Sequence, residues 1–176
     1  DMYGGTSIMA ITRLNNNSIT SVTALPSGID VGKIGQVVQG TRLTSSLENT
    51  STTAYIDVLS ASITPSATSS KILIVIMCFH NMRNNGGNEC GIRQRILRDS
   101  TDIYTVANNG TGFSNGCSHY LHASGASPDS WQTTSLQYLD SPSSTSSINY
   151  KLQGNHFSGN YFRARDGYMQ LLEVLA

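Results

Sequence analysis

Charge is what this sequence has least of. Lys and Arg supply 11 side chains and Asp and Glu another 11, so charged residues make up 12% of the 176, against about a quarter in an average soluble domain. The two signs cancel, leaving a net charge of zero and a pI near 7.1. A chain so balanced carries no electrostatic footprint for nucleic acid or an anionic membrane, and neither is expected as a partner. Cysteine is scarce and odd in number, at Cys78, Cys90 and Cys117, which excludes a dense disulfide framework. Cys78 is expected to pack as a small hydrophobe, and a single Cys90–Cys117 bridge is left open. No apolar run reaches the length of a membrane-spanning helix and no signal-peptide pattern opens the chain, so neither membrane insertion nor signal-directed export is expected. Sustained 3.6-residue periodicity with caps is missing too, which excludes a helical bundle.

What the chain has is hydroxyls, amides and short apolar strands. Ser, Thr, Asn and Gln provide the solvation that Lys and Glu usually give, while 38% hydrophobic residues suffice for one core. The segment Ser60–Asn81, SASITPSATSSKILIVIMCFHN, sets the pattern. Its first part reads as a soft polar linker. Its second, Ile72–Phe79, is β-branched, bounded by turn formers and too short to cross a bilayer, so it reads as a central strand buried on both faces. Ile74, Ile76 and Cys78 are expected to be buried on one side, with Leu73, Val75 and Met77 buried on the other.

Further strands are expected at Ile34–Gln39, Thr53–Leu59, Gly91–Leu97, Asp102–Val106, Ser118–Ala123, Trp131–Asp140, Ser147–Gln153 and Tyr168–Leu175. In Ser147–Gln153 the alternation is cleanest, with Ile148, Tyr150 and Leu152 inward. Turn signals about every 8 to 12 residues favour an all-β antiparallel sandwich, jelly-roll-like. Before it, residues 1–33 lack a clear period and read as an extended N-terminal arm, with 34–176 as the sandwich domain. The stretch from Met9 has the look of a natural start, with eight residues of lead-in.

Chemistry-bearing patterns are weak. His119 and His122 form an HxxH pair, but on a strand that odd spacing sends them to opposite faces, and no metal site is expected. His80 and His156 read as loop or rim residues. There is no GxSxG elbow, no local carboxylate pair and no strand-to-helix glycine loop, so the reading is of a non-enzyme without cofactors. Loop aromatics Phe113, Trp131, Phe157 and Tyr161 are the candidates for stacking on sugars or filling a protein interface. Arg93, Arg95 and Arg98 are candidates for pairing across a subunit boundary. Loops at 80–90, 107–117 and 154–166 are the expected contact regions.

The order of several blocks carries a resemblance. MAITRLNNNSITSVTALPSGIDVGKIGQVVQGT, then LSASITPSATSSKILIVI, RQRILRDSTDIY, LQYLDSPSSTSSINYKLQ and the closing LLEVLA together resemble tail-fibre-like virion structural proteins of marine bacteriophages. The resemblance runs over nearly the whole chain from Met9, and it transfers no binding residue. A missing export signal and a surface that does not look cytosolic are reconciled by release through cell lysis, and the resemblance implies a virion location after assembly in a host cytoplasm. It also implies a homotrimer, an arm that docks on other virion proteins, and a β head that engages host-surface polysaccharide or protein through repeated weak contacts. The competing expectation is a capsid decoration or cement protein whose arm clamps neighbouring capsid subunits.

Overall fold

The alternation Ile72, Ile74, Ile76, Cys78, His80, Met82 organises the molecule: all six side chains are fully buried on one face of a 13-residue strand. A period of two puts them on one side of the pleat, and removing each large aliphatic side chain from water contributes about 1.5–3 kcal/mol. The structure, a computed structural model, describes residues 33–83, 89–105, 117–122 and 129–175. Residues 1–32 of the expected arm, 84–88 of the expected 80–90 loop, and 107–116 with Phe113 lie outside the described residues, while Lys33 already belongs to a strand.

Ten strands follow in order: β1 (Lys33–Gln39), β2 (Leu47–Asn49), β3 (Ile56–Ile63), β4 (Lys71–Arg83), β5 (Glu89–Arg98), β6 (Thr101–Thr105), β7 (Cys117–His122), β8 (Asp129–Asp140), β9 (Ile148–Ser158) and β10 (Tyr161–Leu175). All strand pairings among them are antiparallel. The first sheet has the order β1-β10-β4-β8, with β2 continuing the line of β1 along the edge of β10. The second has the order β3-β9-β5-β6, with β7 continuing the line of β6 along the edge of β5. Counting those two edge lines as one strand each leaves eight, divided four and four. Successive strands cross repeatedly between the sheets, which is a jelly roll.

The core lies between the sheets. Val58, Leu59, Ala61 and Ile63 come from β3, Cys90, Ile92 and Ile96 from β5, and Ile148, Tyr150 and Leu152 from β9. They meet the inward row of β4 and Phe162, Ala164, Met169 and Leu171 of β10. A register shift between Asp57 and Leu59 turns both Val58 and Leu59 inward, where strict alternation would send one to water. Gly154 leaves room for the Phe162 ring, because a Cβ there would run into its edge. Gly159, at φ 102° in the β9–β10 turn, adopts a backbone that side chains resist.

At one end the sheets are tied together by Asp140 of β8. It accepts Tyr150 Oη at 2.7 Å and both contacts from Arg98 Nη1 at 3.0–3.1 Å. Nearby, the buried Glu173 carboxylate accepts Ser66 N–H, Ser66 Oγ and Gln36 Nε2. Burial works to raise this carboxyl, but the hydrogen bonds prevail and bring it down to about 2.

Several expectations need correcting. Ser60–Ile63 is not linker but the second half of β3, with Ala61 and Ile63 in the core. His80 and His156 are not rim residues: both sit in strands with at most 1% of their surface exposed. Residues 80–83 and 154–158 are strand rather than loop. The Cys90–Cys117 bridge, left open by the sequence, is not formed, and both thiols are free. Cys90 points into the core against Met82 at 3.8 Å, whereas Cys117 lies on the outside of the sheet near Gly91 and Arg93. Most consequentially, β4 is central in its sheet but buried on one side only. Leu73, Val75 and Met77 remain partly exposed on the outer face.

Candidate functional site

The two outer faces differ in how their side chains are satisfied. On the second sheet, cross-strand partners knit a polar ladder. Asp57 accepts Lys151 Nζ at 2.8 Å and Gln153 Nε2 at 2.5 Å. Gln153 Oε1 accepts Arg95 Nε at 2.8 Å, and Asn149 Nδ2 donates to Ser62 Oγ at 2.9 Å. Hydrogen bonds from Lys151 and Gln153 hold the Asp57 carboxyl below its usual range. Arg95 also lies over the Tyr55 ring at 4.2 Å and 3.6 Å from Asp102.

The outer face of the first sheet is built otherwise, in rungs that run across four strands. Register places Val37, Leu172, Leu73 and Leu139 in one rung. The next holds Gln39, Gln170, Val75 and Gln137, and the one after it Tyr168, Met77 and Ser135. Ile34 and Leu139 are each about half exposed and Val37 is 59% exposed. Gln170 Nε2 donates to Gln39 Oε1 at 3.1 Å. A cleft of about 370 Å³ opens here, lined by Gln39, Arg42, Met77, Asp166, Tyr168 and Gln170. Its wall includes a two-point pair, Arg42 Nε to Asp166 Oδ1 at 2.9 Å and Nη2 to Oδ2 at 2.6 Å. That pairing holds the Asp166 carboxyl low.

Toward the β9–β10 turn the same face becomes aromatic and charged. Trp131, half exposed, stacks on Phe79 with centroids 5.7 Å apart and planes 22° from parallel. Arg165 lies over the indole at 5.2 Å. The register shift between Ala164 and Asp166 marks a bulge at that arginine, the usual device for re-aiming a side chain. Asn81 Nδ2 donates to Tyr161 Oη at 3.3 Å, and Tyr161 donates to Asp129 Oδ1 at 3.0 Å. Arg83 grips Asp129 through two nitrogens at 3.0 and 3.2 Å and holds its carboxyl low. Arg163 packs over Tyr161 at 4.2 Å and pairs with Glu48. The result is a flat hydrophobic plate framed by fixed polar groups, an arrangement that suits a ligand with an apolar face and hydroxyl or amide edges.

Of the expected aromatics, then, Trp131 and Tyr161 come together on this face, but from strands β8 and β10 rather than from loops. Phe157 lies on the opposite side of the molecule, in β9, stacked on Tyr120 at 6.3 Å and beneath Arg93 at 5.4 Å. The three arginines do not form one patch. Arg93 and Arg95 share the outer face of the second sheet, whereas Arg98 turns to Asp140. Phe79, Arg165 and the cleft residues were missed, since a bulge and a cross-strand rung leave no local signal.

Between the sheets lies a second polar cluster. The rings of His80 and His119 are 5.4 Å apart, and Phe162 meets His80 edge-on at 6.0 Å. His80 Nδ1 contacts Cys78 O at 3.2 Å and His119 Nε2 contacts Ser130 Oγ at 3.0 Å. Among the described residues, His80 Nε2 and His119 Nδ1 have no hydrogen-bond partner. Burial lowers both imidazoles, His80 to about 4 with a further contribution from His119. Among the described residues no group of three or more His, Cys, Asp or Glu is placed to hold a metal ion.

No protein-family model matches the chain, and no curated protein does. Among solved structures it is similar to chains of infectious bursal disease virus. The structure of the Gx strain aligns at 14% identity and a TM-score of 0.46, covering 85% of this chain and 36% of that one. The VP2 subviral particle aligns at 15% identity and 0.42, covering 78% and 32%. The T13 viral particle aligns at 11% and 0.44, covering 84% and 35%. The chain spans about a third of the length of these relatives.

Proposed function

We propose that this chain is a structural protein of a bacteriophage particle, a fibre or spike component whose jelly-roll head engages the host surface in several copies. The observation that carries the reading is the plate on the first sheet. Trp131 stacks on Phe79 under Arg165, rung by rung beside a cleft lined with tyrosine, methionine and paired amides. Such a surface gives each head one weak contact with a saccharide or a protein loop. Repetition around a particle converts weak contacts into firm attachment. The order of sequence blocks that resembles marine phage fibres supports the same reading. The test is adsorption of the purified protein to host cells and to their isolated polysaccharide. Trp131→Ala should abolish most of it with the fold intact, and undiminished adsorption would sink the proposal.

A capsid decoration role is the second reading, favoured by one observation. The rung Val37–Leu172–Leu73–Leu139 is aliphatic, and branched aliphatic side chains pack on protein rather than on sugar. Particles that lose integrity without the protein, while adsorbing normally, would favour it.

A further inference from the structure

The rings of His80 and His119 meet between the sheets, one from β4 of the first and one from β7 of the second, with centroids 5.4 Å apart. His80 is fully buried and His119 nearly so. The contact of His80 Nδ1 with Cys78 O fixes the tautomer, because a carbonyl only accepts: Nδ1 holds the proton and Nε2 the lone pair. A second proton would go to that Nε2, and among the described residues no group is placed to accept a hydrogen bond from it. His119 repeats the situation, with Nε2 against Ser130 Oγ at 3.0 Å and Nδ1 left over. We infer that this pair is an acid-sensitive latch: protonation of the two imidazoles releases β7 from β5 and opens this end of the sandwich, while the rest of the jelly roll stays folded.

The surroundings decide whether a buried imidazolium is tolerated, since it persists only beside an anion. Inward groups around the pair supply none. They are Cys78 of β4, Cys90 of β5, Ser130 of β8, His156 of β9, and Phe162 with Ala164 of β10. Burial pushes both thiols up, Cys78 to about 12, so they stay uncharged in acid. His156 can only add a positive charge. The nearby carboxylates are turned elsewhere. Asp166, which acts on Cys78, is bound by Arg42 at the surface. Asp129, next to Ser130, is bound by Arg83 and Tyr161 on the outer face. Glu89 and Arg93 of β5 act on Tyr120 and Phe157 on the outside of the second sheet. Two protonated rings at this spacing would repel each other with no carboxylate between them, and admitting water is what relieves them.

β7 is the element that can yield. It is six residues long, pairs among the described residues with β5 alone, and is interrupted by a register shift between Ile92 and Arg93. Its inward side is held by the His119–Ser130 contact and by Ser118 Oγ, which donates to Gln94 Oε1 at 2.7 Å. β4 is instead paired along its length to β10 on one side and β8 on the other, so it cannot move without the core. Opening a short edge strand costs far less than unfolding the domain. Linkage gives the direction. Burial lowers both imidazoles, His80 from 6.5 to about 4, so the open state takes up protons that the closed state refuses. The latch therefore holds above pH 6.5 and loosens progressively below it. Between pH 7.5 and pH 5, His80 alone should raise the ratio of open to closed about 25-fold, and His119 should multiply that.

Hydrogen exchange of the full-length protein, read by mass spectrometry and corrected for intrinsic rates, tests this. Between pH 7.5 and pH 5, amides of Cys117–His122 and of the facing Glu89–Arg93 should lose protection at least tenfold, and regain it on return to pH 7.5. Amides of Ile148–Leu152, where β9 meets β3, should keep theirs within about twofold. The double variant His80→Gln/His119→Gln, which cannot take up these protons, should show no pH response at β7. Should that variant not fold, the wild-type comparison of the two regions decides alone. Protection lost equally in both regions, protection unchanged at β7, or a response that persists in the double variant would each overturn the inference.

Discussion

The two outer faces of this jelly roll come from the same polar-rich, charge-poor sequence, yet they solve the problem of facing water differently. On the second sheet most of the outward polar residues at the centre find cross-strand partners, Asp57 with Lys151 and Gln153, Gln153 with Arg95, Asn149 with Ser62. On the first sheet the central strand turns Leu73, Val75, Met77 and Phe79 outward, with half-exposed Leu139 and Trp131 beside them. The sandwich does not need these outward aliphatics, since its core is complete beneath them. The difference teaches that, among the described residues, one face is satisfied by its own cross-strand polar partners while the other leaves apolar side chains turned outward.

Substitutions on β4 should break this comparison most sharply. Ile76→Ala empties a fully buried position, and urea unfolding should show a loss of about 2–5 kcal/mol. Val75→Ala, one residue along on the open face, should cost under about 1 kcal/mol. Equal costs would mean that the open face is in fact covered.

Acid should come next, acting on the interior that both faces share. His80 is depressed from 6.5 to about 4, so the unfolded chain binds more protons than the folded one between those values. Stability should therefore fall as pH drops through that window, by roughly 3 kcal/mol for this group alone. Glu173 extends the loss at lower pH. Its carboxyl is depressed to about 2 from 4.5, so its contribution is present above 4.5 and disappears as pH falls toward 2. Thermal melts from pH 8 to pH 3 measure both, and His80→Gln should flatten the upper part of the curve.

A smaller effect should come from the finished face. Asp57→Ala removes the acceptor that Lys151 and Gln153 share and should cost about 1 kcal/mol, reduced at high salt because the carboxylate is half exposed. Smallest in stability is Trp131→Ala on the open face. It should move the melting temperature by no more than a degree or two and lower host adsorption about tenfold or more. If instead Asp57→Ala lowered adsorption and Trp131→Ala lowered stability, the assignment of the two faces would be reversed.

The all-β sandwich was legible because β4 and β9 advertise it. Ile148, Tyr150 and Leu152 alternate as read, and all three are in the core. The lengths of strands were less legible. His80, Met82, His156 and the stretch Tyr161–Gly167 continue β4, β9 and β10, but polar or small side chains at inward positions imitate loop composition. Ser60–Ile63 hid for the same reason, since Ala61 and Ile63 are buried among serines. The open face was misread through sound logic: an unbroken aliphatic run in β4 normally means two covered sides. Only the sheet order reveals that the second side has no cover from the chain's described residues. Of the candidate site, Trp131 and Tyr161 were recognisable as aromatics beside turns, while Phe79, Arg165 and the cleft depend on register and a bulge that local sequence does not encode.

One edge of the second sheet has a practical consequence. Thr105 pairs with Arg95 and Cys117 with Arg93, so the chain leaves β5 and rejoins it only two residues further along. The outer edge of β5 is therefore covered in two short pieces, five residues of β6 and six of β7. Strands that short give a neighbouring chain little to pair with, which guards the second sheet against edge-to-edge aggregation.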